Sequence, residues 1–553
     1  MGKLRVLLSV GTMLGIAAGG AHAEMFPSNA PGSTVSPTGV GMTATASGFM
    51  EVGSPYTGGQ GQQYTPTASG YNLSPFSTPA PGTVNLRFDL RLDAFPQVAW
   101  WTGMNGNTGA NVTQGSPATT VLSGVGNKQA PYGINGFVRI DIGLDGMTKQ
   151  GIRYGAFTEI RENTFNLIGS GGQFNVGAAG APATTAPTFL NSVTTASATS
   201  SGTSAQSQQN TLYVRQAWAY IGTDQLGIIR IGQGFSANSL MQLGLGDEFD
   251  AGGWIAIGSN SLFPSAVAPT WPWADGGGEY QAARIGYLSP VVSGFDLVTT
   301  FAPNNLPMFN APTCSSATAY AGCISQSSSN LPSDLARYRN QFEIGLRYRN
   351  SFGPVGFAVS GVWTHSAATE PGPFTPSMAT VPAAVGAGIG NANNVLTYNG
   401  LNMGMIGGEV SLFKHLAIGG NVLFGAFNGS WGLQNNPVCV SATLCQDSKT
   451  MAIAWVASAR YTIAPLPMTI GGSYFNYKYQ GQPGLPTQRV SQGIDLGATY
   501  GLGPGAVIVA EYLWGQNTQG GFNFLTNADT GAAAALNNKV KVQTAILGMS
   551  LRF

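Results

Sequence analysis

Residues 85–93 read Asn85-Leu86-Arg87-Phe88-Asp89-Leu90-Arg91-Leu92-Asp93. Every odd position is polar or charged, and every even position is apolar. That strict period of two is the side-chain alternation of a β-strand with one wet and one greasy face. The same pattern recurs downstream. Val138, Ile140, Ile142 and Leu144 alternate with Arg139, Asp141 and Asp145; after a short turn, Ile152, Tyr154, Ala156 and Ile160 alternate with Arg153, Phe157, Glu159 and Arg161. Phe342, Ile344, Leu346 and Tyr348 alternate with Glu343, Arg347 and Arg349. At the C-terminus Leu547, Met549, Leu551 and Phe553 alternate with Gly548, Ser550 and Arg552.

Such segments come in pairs. Hairpins are predicted at 136–145/151–163, 211–221/226–233, 279–288/293–302, 340–349/354–365, 402–413/416–428, 451–462/467–479 and 490–501/504–516. A first strand at 84–95 and a last at 542–553 bring the expected total to about sixteen, and a further strand near 43–52 would open the way to eighteen. Turns within pairs are short, whereas connections between pairs are long and rich in Gly, Ser, Thr, Asn and Pro. Even strand number, short turns at one end and long loops at the other describe an all-β, transmembrane, antiparallel barrel with periplasmic turns and extracellular loops. Lipid supplies no hydrogen-bond partners, so a sheet crossing it must close on itself. Apolar faces then meet lipid and charged faces a wet lumen. A soluble sandwich would bury the same apolar faces in a dry core, but its connections are rarely as long as these.

Composition agrees. The 553-residue chain is only 8% charged, where soluble proteins carry about 25%. Mean hydropathy is nevertheless only +0.07, and after residue 20 no apolar run approaches the roughly 20 residues of a membrane helix. A net charge of +1 gives no electrostatic reason to expect nucleic acid. Tyr280, Tyr287, Trp363, Tyr461, Tyr477, Tyr500, Tyr512 and Trp514 fall near predicted strand ends, where interfacial aromatic girdles sit.

Residues 1–23 read as a secretory signal peptide, with Lys3 and Arg5 before an apolar core and Ala21-His22-Ala23 as the cleavage site. Residues 24–83 form a low-complexity Pro/Gly/Ser/Thr-rich segment, and 84–553 the barrel. Cys314/Cys323 and Cys439/Cys445 lie in two close pairs, the simplest arrangement for local disulfides in an oxidising compartment. With His22, His365 and His415 the only histidines, a metal site is not expected. Neither a phosphate loop nor a nucleophile motif is present, so no catalytic residue and no cofactor is predicted.

Three stretches resemble the Gram-negative general, trimeric porins of the outer membrane. Tyr213-Val-Arg-Gln-Ala-Trp-Ala-Tyr-Ile-Gly222 with Leu226-Gly-Ile-Ile-Arg-Ile-Gly-Gln233 is similar to one of that family's hairpins. Arg284-Ile-Gly-Tyr-Leu-Ser-Pro290 with Gly294-Phe295 is similar to another, and Ala545–Phe553 to its closing strand, in which Phe553 is the assembly signal. The resemblance implies a water-filled pore passing small hydrophilic solutes and ions, a homotrimer, outer-membrane lipid and lipopolysaccharide around it, and the barrel-assembly machinery as a biogenesis partner. It also implies that the loop after the fifth strand, at 234–278, folds inward and narrows the pore. Asp247, Glu248 and Asp250 on that loop would then face a basic wall of Arg87, Arg91, Arg139, Arg153, Arg161 and Arg215. A transverse field of this kind favours polar solutes over apolar ones. Glu159 and Asp495 are expected as lumen residues, and Glu343, Arg347, Arg349, Glu409 and Lys414 as passive wall or turn residues. Trp254, Trp271 and Trp273 allow an alternative, a saccharide-selective channel, although packing of the loop explains them more simply. A structural or adhesive surface barrel is the remaining alternative.

Overall fold

The computed structural model describes residues 81–102, 132–162, 213–223, 225–245, 267–273, 282–304, 338–368, 399–413, 415–429, 450–463, 466–482, 487–503, 506–525 and 537–552. It also describes Trp431, Gln434, Leu485 and five two-residue strand fragments at 113–114, 119–120, 328–329, 370–371 and 528–529. Among these residues, sixteen antiparallel strands close into one barrel. In chain order they are β1 (Val84–Trp101), β2 (Tyr132–Met147), β3 (Arg153–Glu162), β4 (Tyr213–Thr223), β5 (Gly227–Gln233), β6 (Ala283–Leu288), β7 (Phe295–Asn304), β8 (Tyr338–Phe352), β9 (Val355–Ala368), β10 (Leu401–Leu412), β11 (Leu416–Ala426), β12 (Ala452–Ile463), β13 (Met468–Tyr479), β14 (Arg489–Gly503), β15 (Ala506–Thr518) and β16 (Lys539–Arg552). Each strand pairs with its sequence neighbours. β16 returns to β1 with Arg91 opposite Arg552 and Trp101 opposite Val542, so no edge is left open. One short helix, α1 (Ala237–Met241), follows β5.

The predicted hairpins match these strands to within a few residues. The largest difference is β1, which runs on to Trp101 because it stays paired along its length, first to β2 and then to β16. Connections at one end are as short as 353–354 and no longer than 289–294. Those at the other include 163–212 and 234–282.

The alternation read from sequence is the alternation of the wall. Leu86, Phe88, Ile134, Leu346, Ile406, Ile453, Leu496 and Leu547 are exposed on the outside. Arg91, Asp93, Arg139, Asp141, Glu159, Arg215, Glu343, Arg347, Glu409, Asp495 and Glu511 are buried on the inside. Every carboxylate whose side chain is described lies on that inner face. This inversion of the soluble pattern is what a lipid-embedded sheet requires. Among the aromatics expected at the girdle, Trp363, Tyr461, Tyr500 and Tyr512 are exposed on the outer face. Tyr477 is a correction. It falls on the inward phase of β13, fully buried, with its ring stacked on Phe427 (5.8 Å between centroids) and Tyr479 (4.1 Å). Tyr280 lies outside the described residues.

Candidate functional site: a loop seated inside a charged barrel

The segment leaving β5 turns into the barrel at once. Ser236 caps α1, its hydroxyl accepting from Ser239 N at 3.5 Å. Wall side chains satisfy both ends of this helix. At its start Thr300 Oγ1 accepts from Ala237 N (3.2 Å) and Glu343 Oε2 from Asn238 N (2.8 Å). At its end Arg347 donates to Leu240 O (3.3 Å). Short helices leave most of their terminal N–H and C=O groups without internal partners, so an acid under the first turn and a cation under the last are well matched. Glu343, Gly345 and Arg347 share the inner face of β8. Gly345 leaves the space that Met241 fills.

Beyond the helix, the chain crosses a floor of small residues. Gly244 adopts φ +72°, and a Cβ there would overlap Gly408 O and Gly420 N. Backbone meets backbone at this crossing, which only glycine permits. Asn421 donates to Leu243 O (3.1 Å) and Ser458 to Gly244 O (2.8 Å). The second described stretch, 267–273, is held further round the wall. Asn517 donates to Ala268 O (2.7 Å), Ser491 Oγ accepts from Thr270 N (3.3 Å), and Thr270 Oγ1 lies 2.7 Å from Tyr479 OH. Trp273 donates its indole N–H to Asn421 Oδ1 (2.8 Å), and Trp431 donates to Pro272 O (2.6 Å). Asn421 therefore holds both stretches of the segment at once. Trp271 meets Phe475 edge-on at 5.0 Å and Trp273 at 4.7 Å.

Charge is distributed unevenly around the inner wall. On β2–β4, Glu159 is a hub. It accepts from Arg161, from Arg215 (2.9 Å) and from Gln216 (2.8 Å), and lies 3.7 Å from Arg139. Arg139 is also 3.7 Å from Asp141, Arg153 is 3.2 Å from Asp145, and Arg91 is 2.9 Å from Asp93. On β7 and β8, Arg347 grips Asp296 with two hydrogen bonds of 3.1 and 2.6 Å, with Arg349 3.8 Å away. Cations outnumber acids on this side. Among the described residues, the inward charges on β10–β15 are Glu409, Asp495 and Glu511 with Arg460 and Arg489.

A closed barrel of alternating strands, charged inside and apolar outside, with a segment seated in its lumen, is a membrane channel architecture. The family model of Gram-negative porins matches residues 11–520. The chain belongs to the Gram-negative porin family. Solved structures similar to this porin include an anion-selective porin from Comamonas acidovorans (10% identity, 85% of this chain and 100% of that one, TM-score 0.42). A loop-deletion mutant of OmpT, an outer membrane protein of Vibrio cholerae, matches at 11% identity, 85% and 99% coverage and TM-score 0.41. A triple mutant of Rhodopseudomonas blastica porin matches at 11% identity, 85% and 100% coverage and TM-score 0.38. No curated protein sequence matches the chain.

Of the basic residues expected on the porin's wall, Arg91, Arg139, Arg153, Arg161 and Arg215 all face inward, each against a carboxylate of the wall itself. The side chain of Arg87 lies outside the described residues, as do Asp247, Glu248, Asp250, Trp254, Lys414, the four cysteines and Phe553. Trp271 and Trp273 are packed against Phe475 and buried, so they pin the segment to the wall. Glu343 and Arg347, expected to line the wall passively, are the residues that seat α1. Asn421 went unnoticed in the sequence. A Glu-x-Gly-x-Arg pattern on one strand face was the signal available for the first two; for a lone asparagine among glycines there was none.

Proposed function

We infer that this outer-membrane channel passes small solutes, as its family, which is typically trimeric, does. We propose that the 234–278 segment narrows that channel, and that Asp247, Glu248 and Asp250 on it act with the wall arginines to set a transverse field across the narrowest water. One observation carries the reading. Both described stretches of the segment hydrogen-bond to inward-facing side chains, from β7 and β8 through β11 and β12 to β14 and β15. A segment fixed at so many points round the circumference narrows whatever water path remains. Facing charges across a low-dielectric ring act strongly on permeating ions. The reading also takes residues 1–23 as a cleaved export signal, Cys314–Cys323 and Cys439–Cys445 as disulfides of the extracellular loops, and Phe553 as the mark read by the assembly machinery. The passage is a passive one for small hydrophilic solutes. Trp271 and Trp273 are occupied in packing on Phe475 rather than set out as a saccharide track.

Planar-bilayer recording of Gly244→Ala tests the constriction. The added methyl has no room at the crossing and the backbone there disfavours it, so the segment lifts and single-channel conductance rises and becomes noisy. Steps of wild-type size and quietness from a correctly folded Gly244→Ala barrel would refute the constriction while leaving the channel itself intact.

A further inference from the structure

Arg91, Arg139, Arg153, Arg161, Arg215 and Arg347, inward-facing on β1–β8, each lie against a carboxylate of the wall. Arg489, at the long-loop end of β14, is different. Among the described residues no carboxylate comes within ion-pair reach of it, and its one hydrogen bond runs from Nε to Gln519 Oε1 (2.9 Å). Its two Nη groups are uncommitted, and the residue is only partly buried on the inward phase of the strand.

The guanidinium is nevertheless held in place. Its Cζ lies 4.5 and 4.9 Å from the ring centroids of Phe522 and Phe524, two buried rings that meet edge to face at 5.0 Å. Gln519, the first residue after β15, is fixed in turn. Its Nε2 donates to Gln480 O (3.3 Å), Gln482 O (3.3 Å) and Thr487 O (3.0 Å), and its Oε1 accepts from Gln482 N (3.1 Å) as well as from Arg489. Gly481, at φ +67°, brings the backbone so close to the Arg489 side chain that a Cβ there would overlap it. A side chain set in this way loses little freedom when a ligand arrives. A guanidinium with an uncommitted Nη edge matches the two oxygens of a carboxylate. Neither neighbouring strand, β13 or β15, carries an inward cation, and a lone positive charge suits a monoanion better than a phosphate dianion.

Position gives this arginine a use. Tyr479 is its partner across on β13, and Ser491 lies two residues further along the same face of β14. Both of these side chains seat Thr270 of the inward segment. Arg489 thus stands on the long-loop side of that seat, in the mouth of the lumen. We propose that Arg489 is a binding site for the carboxylate of a small monocarboxylate solute entering the channel, with Gln519, Phe522 and Phe524 positioning the guanidinium. The inference needs the water-filled lumen but neither the constriction nor the transverse field proposed above.

Single-channel recording of the intact porin tests it with three probes: benzoate, its neutral isostere benzamide, and inorganic phosphate. Benzoate is expected to interrupt the current in saturable, resolvable events, and the other two are not. Arg489→Gln, checked for folding by its compact band on unheated gels, should shorten benzoate residence about tenfold, the effect of losing one charge-assisted hydrogen bond. Arg489→Lys keeps the charge without the planar fork and should fall between. The double variant Phe522→Leu, Phe524→Leu keeps the guanidinium but loosens its setting, and should shorten residence about threefold, the share of a cation–π contact. No benzoate events in the wild type, or undiminished events in Arg489→Gln, would overturn the proposal. Residence in Arg489→Lys equal to wild type would reduce the site to a point charge, and equal events with benzamide would reduce it to an apolar contact; either result removes the carboxylate. Longer events with phosphate than with benzoate would overturn the choice of a monoanion. Reversal potentials in a potassium chloride gradient report separately on the transverse field.

Discussion

The two halves of the inner wall are built from the same alternating strands and are filled in opposite ways. From β2 to β4 the lumen side is a lattice of guanidinium and carboxylate groups, with Glu159 among Arg139, Arg161 and Arg215. From β11 to β15 the same phase carries Asn421, Phe475, Tyr479 and Asn517, on which the inward segment rests, with Tyr477 stacked on Tyr479. One half is held by charge and the other by aromatic packing and hydrogen bonds. The difference teaches that a barrel's inward face needs only to be compatible with water or with a folded segment. Which it meets depends on what the loop brings.

The contrast can be broken most sharply at Glu159. Changing it to Ala removes the carboxylate that three buried arginines share, which should cost about 3–5 kcal/mol and shift the reversal potential towards anions. Urea unfolding of refolded barrels, read by the loss of the compact band on unheated gels, measures the first; a salt-gradient bilayer measures the second. A neutral result in both would mean the network is solvated and energetically idle. On the aromatic half, Phe475→Ala removes the ring that Trp271 and Trp273 pack on and should cost about 3 kcal/mol, the low end for such truncations because water can enter the space. Its conductance should rise while its ion preference stays put. A change of preference with no change of conductance would reverse the roles assigned to the two halves. The mildest probe is Asn421→Ala. It frees Leu243 O and the Trp273 indole together, for about 2 kcal/mol, and should give flickering currents rather than a uniformly wider pore. Steady wild-type currents would show that the two stretches of the segment are held independently of this residue.

How much of this was legible beforehand differs between fold and site. Val138 to Asp145 or Phe342 to Arg349 declare their two faces without help, because a period of two is a local property of a pleated chain. The inward direction of Arg139 or Glu159 followed from that phase. The inward course of the segment after β5 was inferred from family likeness, and its described ends do lie in the lumen. Its supports were not legible. Glu343 and Arg347 look like any pair of lumen charges until α1 is set between them, and Tyr477 looks like a girdle residue until its phase on β13 is counted.

The sequence by itself determined the strands, their two faces and hence a closed membrane sheet, since alternation and the need to satisfy every backbone group in lipid are fulfilled segment by segment. Only the tertiary structure decided which cations meet which acids, and that Asn421 joins two stretches thirty residues apart. Those contacts depend on the register of sixteen strands around a circle, a relation between distant parts of the chain that no local pattern encodes.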